Sequence, residues 1–230
     1  MAESIPQLHH CTKYESLCKI LQSGCFRPSF CLEQVSFING FKEAAYAVVC
    51  FADLIPAELE KHLNSFNADS YIVMSKEWAM RNHVCPVLYY NPNSVPASAM
   101  ENWTRLLVSK GKDWDKLVYN VTNLMFPYMK QYKGRYFNRN TGSFSTEERI
   151  FYLEREWRYI PLVFDEEAFY LSGEDYRNTK IRGEKTKELE DKYSLKFNES
   201  DIIEIGIPKG RYDDFMSKIL NADKLTIKII

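Results

Sequence analysis

The segment Glu154-Arg155-Glu156-Trp157-Arg158 carries the densest chemistry in this 230-residue chain. If it is extended, alternate side chains face opposite ways. Glu154, Glu156 and Arg158 then stand in one row, with neighbours about 6.6 to 6.8 Å apart along the backbone. Leu153, Arg155, Trp157 and Tyr159 occupy the other face. Adjacent carboxylates raise one pKa of the pair, and a guanidinium lowers it again. A carboxylate pair of this kind stabilises positive charge developing on a sugar, as in glycosyl chemistry. Glu156 and Glu154 are therefore candidate catalytic residues, and Arg158 a candidate substrate-binding residue. The plainer reading of the same row is a solvated strand face with a structural ion pair.

A second candidate lies at the start of the chain. His9 and His10 are adjacent on a short apolar-bounded segment, so strand alternation turns one toward a core and the other toward a cleft. Thr12 and Glu15 have the spacing of a capping box, and Gly24 suits the end of the helix they would open. His10-Cys11-Thr12 would then sit beside a helix N-terminus, where anionic groups such as a nucleotide diphosphate are favoured. His9, His10 and Thr12 are candidate substrate-binding residues on this argument, against the commoner role of a structural histidine. Asp53 reads as a helix cap and Cys50 as a core residue. The six cysteines form no Cys-x-x-Cys pair, no Cys/His cluster has metal-ligand spacing, and Walker, Gly-x-Gly-x-x-Gly and Gly-x-Ser-x-Gly motifs are missing from the sequence. No metal and no fixed cofactor are expected.

The elements that would position these residues are short. Strands are expected at residues 8–12, 25–29, 46–51, 71–74, 86–90, 151–164, 201–207 and 225–230, and helices at 12–24, 56–64, from Ser75 through Trp78, and 212–220. Residues 97–130 read as mostly helical, with Leu106, Leu107, Leu117, Val118, Val121, Leu124 and Met125 on the apolar face. Residues 131–146 read as a long loop, and 171–187 as a polar surface excursion. Strands scattered among helices, without regular alternation, predict an α+β fold: a single domain over residues 1–230, with a mixed sheet of short strands and surrounding helices.

Composition narrows the function classes. Net charge is −1, which argues against a broad nucleic-acid footprint. No apolar run reaches the roughly 18 residues of a membrane span, and the N-terminus lacks the pattern of a signal peptide. A cytoplasmic protein with reduced thiols is expected, for which the three Asn-x-Ser/Thr sequons carry no meaning.

Several stretches resemble the AbiGi family: Leu8-His9-His10-Cys11-Thr12, the helix with Leu17, Ile20 and Leu21, and Ser23-Gly24-Cys25-Phe26-Arg27-Pro28. Val49-Cys50-Phe51-Ala52-Asp53, Trp78, Pro86-Val87-Leu88-Tyr89 and Glu154-Arg155-Glu156-Trp157-Arg158 extend the likeness, as do Leu195-Lys196-Phe197 and Asp201-Ile202-Ile203. That family is described as abortive phage-resistance proteins, the antitoxin half of a two-gene system. The resemblance implies a phage-defence protein acting through a toxin or regulatory partner. More remotely, the order of a His and Thr opening a helix, a middle strand and a late Glu-x-Glu is similar to the ADP-ribosyltransferase fold. This likeness implies that His10 matches the first motif, that Glu156 is the catalytic Glu with Glu154 before it, and that NAD is the substrate of a transferase or glycohydrolase. The middle motif departs, since Cys50-Phe51-Ala52-Asp53 has no Ser-Thr-Ser. A nucleotide-binding module without catalysis is the third reading.

Overall fold

The computed structural model describes residues 7–35, 43–110, 125–139, 141–161 and 170–230. Its frame is a mixed sheet of nine strands. In chain order these are β1 (Gln7–Thr12), β2 (Ser29–Gln34), β3 (Glu43–Leu54), β4 (Ser70–Met74), β5 (Cys85–Pro86), β6 (Glu156–Tyr159), β7 (Tyr170–Ser172), β8 (Ile202–Ile207) and β9 (Ile227–Ile229). The spatial order is β9-β8-β4-β1-β3-β6-β5, with β2 and β7 flanking the first half of β3. Among the described residues, only the β8–β9 pair of this sheet is parallel. The helices are α1 (Tyr14–Ser23), α2 (Pro56–Ser65), α3 (Lys76–Arg81), α4 (Val95–Lys110), α5 (Gly173–Arg177), α6 (Thr179–Tyr193) and α7 (Tyr212–Lys218). The arrangement is α+β.

The long strand β3 organises the molecule because it is buried on both faces. Val49 and Phe51 pack with Leu8, Leu17, Trp78, Ile205 and Phe215, under α1, α3 and α7. Ala45 and Ala47 on the same strand meet Leu171, Tyr176 and Leu189 of β7, α5 and α6. The alternate residues Tyr46 and Val48 pack with Tyr90, Ala97, Phe126 and Ile160, while Ala52 and Leu54 meet Leu59 and Leu63 of α2. Cover on both faces explains why the sequence here is an unbroken apolar run instead of an alternating one. Trp78 is enclosed, and its indole N–H donates to the Lys196 carbonyl at 3.1 Å, so the buried ring leaves no polar atom unpaired.

The strand β3 is also sharply bent. Glu33 lies opposite Ala44 and Arg158 opposite Cys50. Six residues of flat strand would hold those positions roughly 20 Å apart, yet the Glu33 and Arg158 side chains are in contact. The bend falls where β3 exchanges its partners β2 and β7 for β1 and β6, and the face carrying Glu33, Cys50 and Arg158 is concave.

Several local expectations change. Helix α1 begins at Tyr14, and Thr12 belongs to β1; the first N–H, of Tyr14, is bound by the Asp69 carboxylate at 2.7 Å, so the cap comes from a distant residue. Gly24 does end the helix, at φ 61° in the left-handed region. Asp53 caps nothing and pairs with Lys76 at 3.0 Å, whereas the Ile55 N–H that opens α2 goes to Glu58. The expected strand at 151–164 is, over its described residues 151–161, a short 3-10 turn, Phe151–Glu154, followed by β6, and its last three residues lie outside the described residues. Residues 131–146 hold two small ladders' strands, Lys133–Gly134 pairing Arg149–Ile150, and Phe137–Asn138 pairing Ser143–Phe144. The expected surface excursion at 171–187 is largely α5 and α6. Leu117, Val118, Val121 and Leu124 lie outside the described residues.

Candidate functional site

Residue 155 decides the geometry of the Glu-x-Glu segment. Arg155 has φ 40° and ψ 50°, a left-handed conformation uncommon for a side-chain-bearing residue. It is held there by its partners. The Asp53 N–H donates to the Arg155 carbonyl at 3.1 Å, the Arg155 Nε donates to the Asp53 carbonyl at 2.6 Å, and its guanidinium pairs with Glu58. Strand alternation is therefore broken between Glu154 and Glu156, which were expected on one continuous strand. They still meet, because both reach Lys130: its Nζ is 2.8 Å from Glu154 Oε2 and 2.7 Å from Glu156 Oε2.

Arg158 follows Glu156 on the same face of β6 and is only 1 % exposed. Its Nε donates to Glu156 Oε1 at 2.7 Å and its Nη2 to Glu156 Oε2 at 3.0 Å, a two-pronged pairing. Its Nη1 donates to Glu33 Oε2 at 3.1 Å and to the Pro127 carbonyl at 2.6 Å. Lys130 Nζ approaches Glu33 Oε1 at 3.7 Å and lies over the Phe151 ring. Arg149 adds a third cation 3.6 Å from Glu154, its guanidinium also packed on Phe66 and Tyr136. Three carboxylates and three cations thus compensate one another.

Burial by itself would push the Glu156 carboxyl up, but the charges of Arg158 and Lys130 beside it hold it well below the usual carboxylate range. Burial likewise works against the charge on Lys130, and Glu156, Glu154 and Glu33 more than restore it. Both Glu156 oxygens are occupied and the group is locked as an anion. It cannot donate or take a proton near neutral pH, and a sugar hydroxyl would have to compete with Arg158 and Lys130 for it.

The concave face opens as a cleft of 580 Å³. Glu154 and Glu156 line it together with Glu33 and Lys130. His9 also lines it, because His9, Ala52 and Glu156 are in register across β1, β3 and β6. The ring Nδ1 of His9 bonds the Gln7 carbonyl at 2.8 Å, and burial lowers the pKa of the ring. His10 is turned to the other face, as alternation requires. Its Nδ1 bonds the Cys50 carbonyl at 2.9 Å and its ring packs on Phe26 and Phe51. The structure thus brings His9, not His10, to Glu154 and Glu156. Thr12 lies at the far end of β1, opposite Ser70, beside a helix terminus already capped by Asp69. Arg158 sits beneath the cleft and not in its wall. Leu153 and Trp157, expected on one face of a continuous strand, part company: Leu153 is 62 % exposed, and Trp157 is half-buried against the main core.

Sequence reasoning missed Lys130, Glu33 and Arg149, and also His62 of α2, which lines the same cleft. Glu33 had a signal, since Phe30 and Leu32 alternate with Cys31 and Glu33 along Ser29–Gln34. Lys130 had none: Met129-Lys130-Gln131 is short, and its partners are 24 and 26 residues away. No group of His, Cys, Asp and Glu among the described residues could hold a metal ion. No described helix is long and apolar enough to cross a membrane.

The molecule is an α+β sheet bent around a charged cleft, with the buried Glu156–Arg158 pair beneath it. The family described as "Putative abortive phage resistance protein AbiGi, antitoxin" matches residues 25–208, and this chain belongs to it. It is also similar to the protein named "Abortive phage resistance protein AbiGi" of Lactococcus lactis subsp. cremoris, at 24 % identity over 217 residues, covering 87 % of this chain and 85 % of the relative. No solved structure matches the chain.

Proposed function

We propose that this protein is the antitoxin-type member of a phage-defence pair, working in the cytoplasm through a partner protein that is a toxin or its regulator. Membership of the AbiGi family supports the defence role. The observation that carries the non-catalytic reading is the state of Glu156: both oxygens are taken by Arg158 and Lys130. On this reading the Glu-x-Glu segment fixes the shape of the cleft and the strands around it. Co-expression with the neighbouring gene tests it. The chain should relieve that gene's toxicity, and a folded Glu154→Gln variant should relieve it equally. Failure of the wild type to relieve, or toxicity of the chain expressed alone, would overturn the reading.

One observation favours an enzyme instead. Glu154, Glu156 and His9 line a single cleft large enough for part of a dinucleotide. An ADP-ribosyltransferase or NAD glycohydrolase would use Glu156 and Glu154 against the ribose, with His9 on the substrate and Arg158 holding Glu156 from below. His10 and Thr12 would then act only through the fold. A nucleotide-binding module would use the same cleft without turnover. Incubation with NAD decides among these: release of nicotinamide by wild type and its loss in Glu154→Gln would establish the enzyme. Saturable binding without release would leave a binding module.

A further inference from the structure

The charges on the cleft do not cancel evenly. Among the described residues, Glu33, Glu154 and Glu156 line it against Lys130, Arg135, Arg139 and Arg149, and Arg158 stands beneath. Lys130, Arg149 and Arg158 are bound to the three carboxylates. Arg135 and Arg139 are exposed and have no described carboxylate within ion-pair reach. Glu148 feels the charge of Arg135 but is paired with Lys133 at 2.6 Å. The surplus at the lip is therefore positive, on a chain whose net charge is −1. A concave site concentrates such a field.

The fold fixes where this surplus stands. Gly134 pairs with Arg149 and Phe137 with Phe144, so Arg135 follows the first small ladder's strand and Arg139 the second's. Arg139 Nη2 donates to the Phe30 carbonyl at 3.0 Å, which holds the group against β2. Tyr136 and Phe137 line the same wall between the two arginines. The Arg149 guanidinium braces the Tyr136 ring at 4.5 Å and the Phe66 ring at 5.2 Å. Deeper in, buried His9 offers an acceptor. Its Nδ1 meets the Gln7 carbonyl, which can only accept, so Nδ1 carries the proton and Nε2 is bare. Among the described residues no group bonds that Nε2.

We propose that the cleft binds a nucleoside diphosphate, with Arg135 and Arg139 on its phosphates, the Phe66 and Tyr136 rings against its base, and His9 Nε2 accepting from a ribose hydroxyl. The inference rests on the reading of the cleft as a nucleotide site and adds which group holds which part of the ligand. Guanidinium forks match phosphate oxygens, and two of them match two phosphates. Aromatic faces stack on any base. Both oxygens of Glu156 are occupied, so the sugar hydroxyl finds its acceptor in neutral His9 instead. An inorganic anion would leave His9 and the rings unused, and 580 Å³ suits a small molecule.

The test titrates the full-length chain calorimetrically with ADP, GDP, CDP and UDP, and separately with adenosine, pyrophosphate and NAD. At least one diphosphate should bind with one-to-one stoichiometry, and adenosine and pyrophosphate about tenfold more weakly or worse. Arg135→Gln and Arg139→Gln should each weaken the diphosphate about tenfold and leave adenosine unchanged. Lys209→Gln, an equal loss of charge at an exposed site outside the cleft, should change neither. A thermal melt confirms that each variant is folded. Diphosphate binding that both arginine variants leave intact, or pyrophosphate binding as tight as the diphosphate's, would overturn the proposal. So would a native wild type that binds none of the four diphosphates. In that last case binding of NAD would leave the cleft a nucleotide site, and its failure would remove that reading as well.

Discussion

At the scale of single residues, Arg158 is the one on which most depends. It binds Glu156 twice, Glu33, and the Pro127 carbonyl, and it does so out of contact with water. Replacing a buried ion pair by apolar groups is often harmless, but removing one member strands the other. Arg158→Met should therefore cost about 3–5 kcal/mol, read as a lowered urea midpoint with an unchanged slope. The double variant Arg158→Met with Glu156→Gln should lose less than the sum of the two single variants, because they share one network. Arg155 works differently. Its left-handed backbone re-aims the chain, and its side chain ties that turn to Asp53 and Glu58.

At the scale of elements, two non-local contacts set where strands and helices can lie. Gly206 of β8 is paired with Tyr71 of β4, and the Tyr71 ring lies across it; a Cβ there would be 2.0 Å from the ring. The ring cannot step aside, since it is fully buried and its hydroxyl donates to Glu204 at 2.5 Å. Gly206→Ala should destabilise the fold by about 1–3 kcal/mol, as overpacking does, and a thermal melt would show it. The start of α1 rests on Asp69 from the other side of the β1–β4 ladder. Asp69→Ala should cost about 1 kcal/mol, the usual worth of an N-terminal cap, with Asp69→Asn retaining most of it in the same measurement.

At the scale of the whole molecule, buried titrating groups make stability depend on pH in two stages. Burial lowers the pKa of His9, His10 and His62, the last to about 4, from 6.5. The unfolded chain then takes up protons below pH 6.5 that the folded chain does not, so stability falls as pH falls from there. Glu156 acts in the same direction lower down. Its folded pKa is depressed, so its contribution is present above 4.5 and lost as pH drops further. Urea midpoints measured from pH 7.5 to pH 4 should decline from about 6.5 downward, and His62→Gln should flatten the first stage.

Local patterns were enough for the elements whose signals are contained within them. The apolar run at β3, the helix spacing of Tyr14, Leu17 and Cys18 ending at Gly24, and the Ser75 hydroxyl that accepts the Trp78 N–H at 3.1 Å were all legible, as were the α+β class and the family. So was the adjacency of two unlike histidines, though not which one faces Glu156. What the tertiary structure alone decided is the company the glutamates keep. Arg158 meets Glu33 across 125 positions of sequence, and Lys130 meets Glu156 across 26. No periodicity encodes such a meeting. Side-chain alternation predicts directions only while a strand stays regular, and here a left-handed residue interrupts one strand and a bend curls another. The charges that neutralise Glu156 are chosen by that curvature, and curvature is a property of the packed sheet, not of any segment within it.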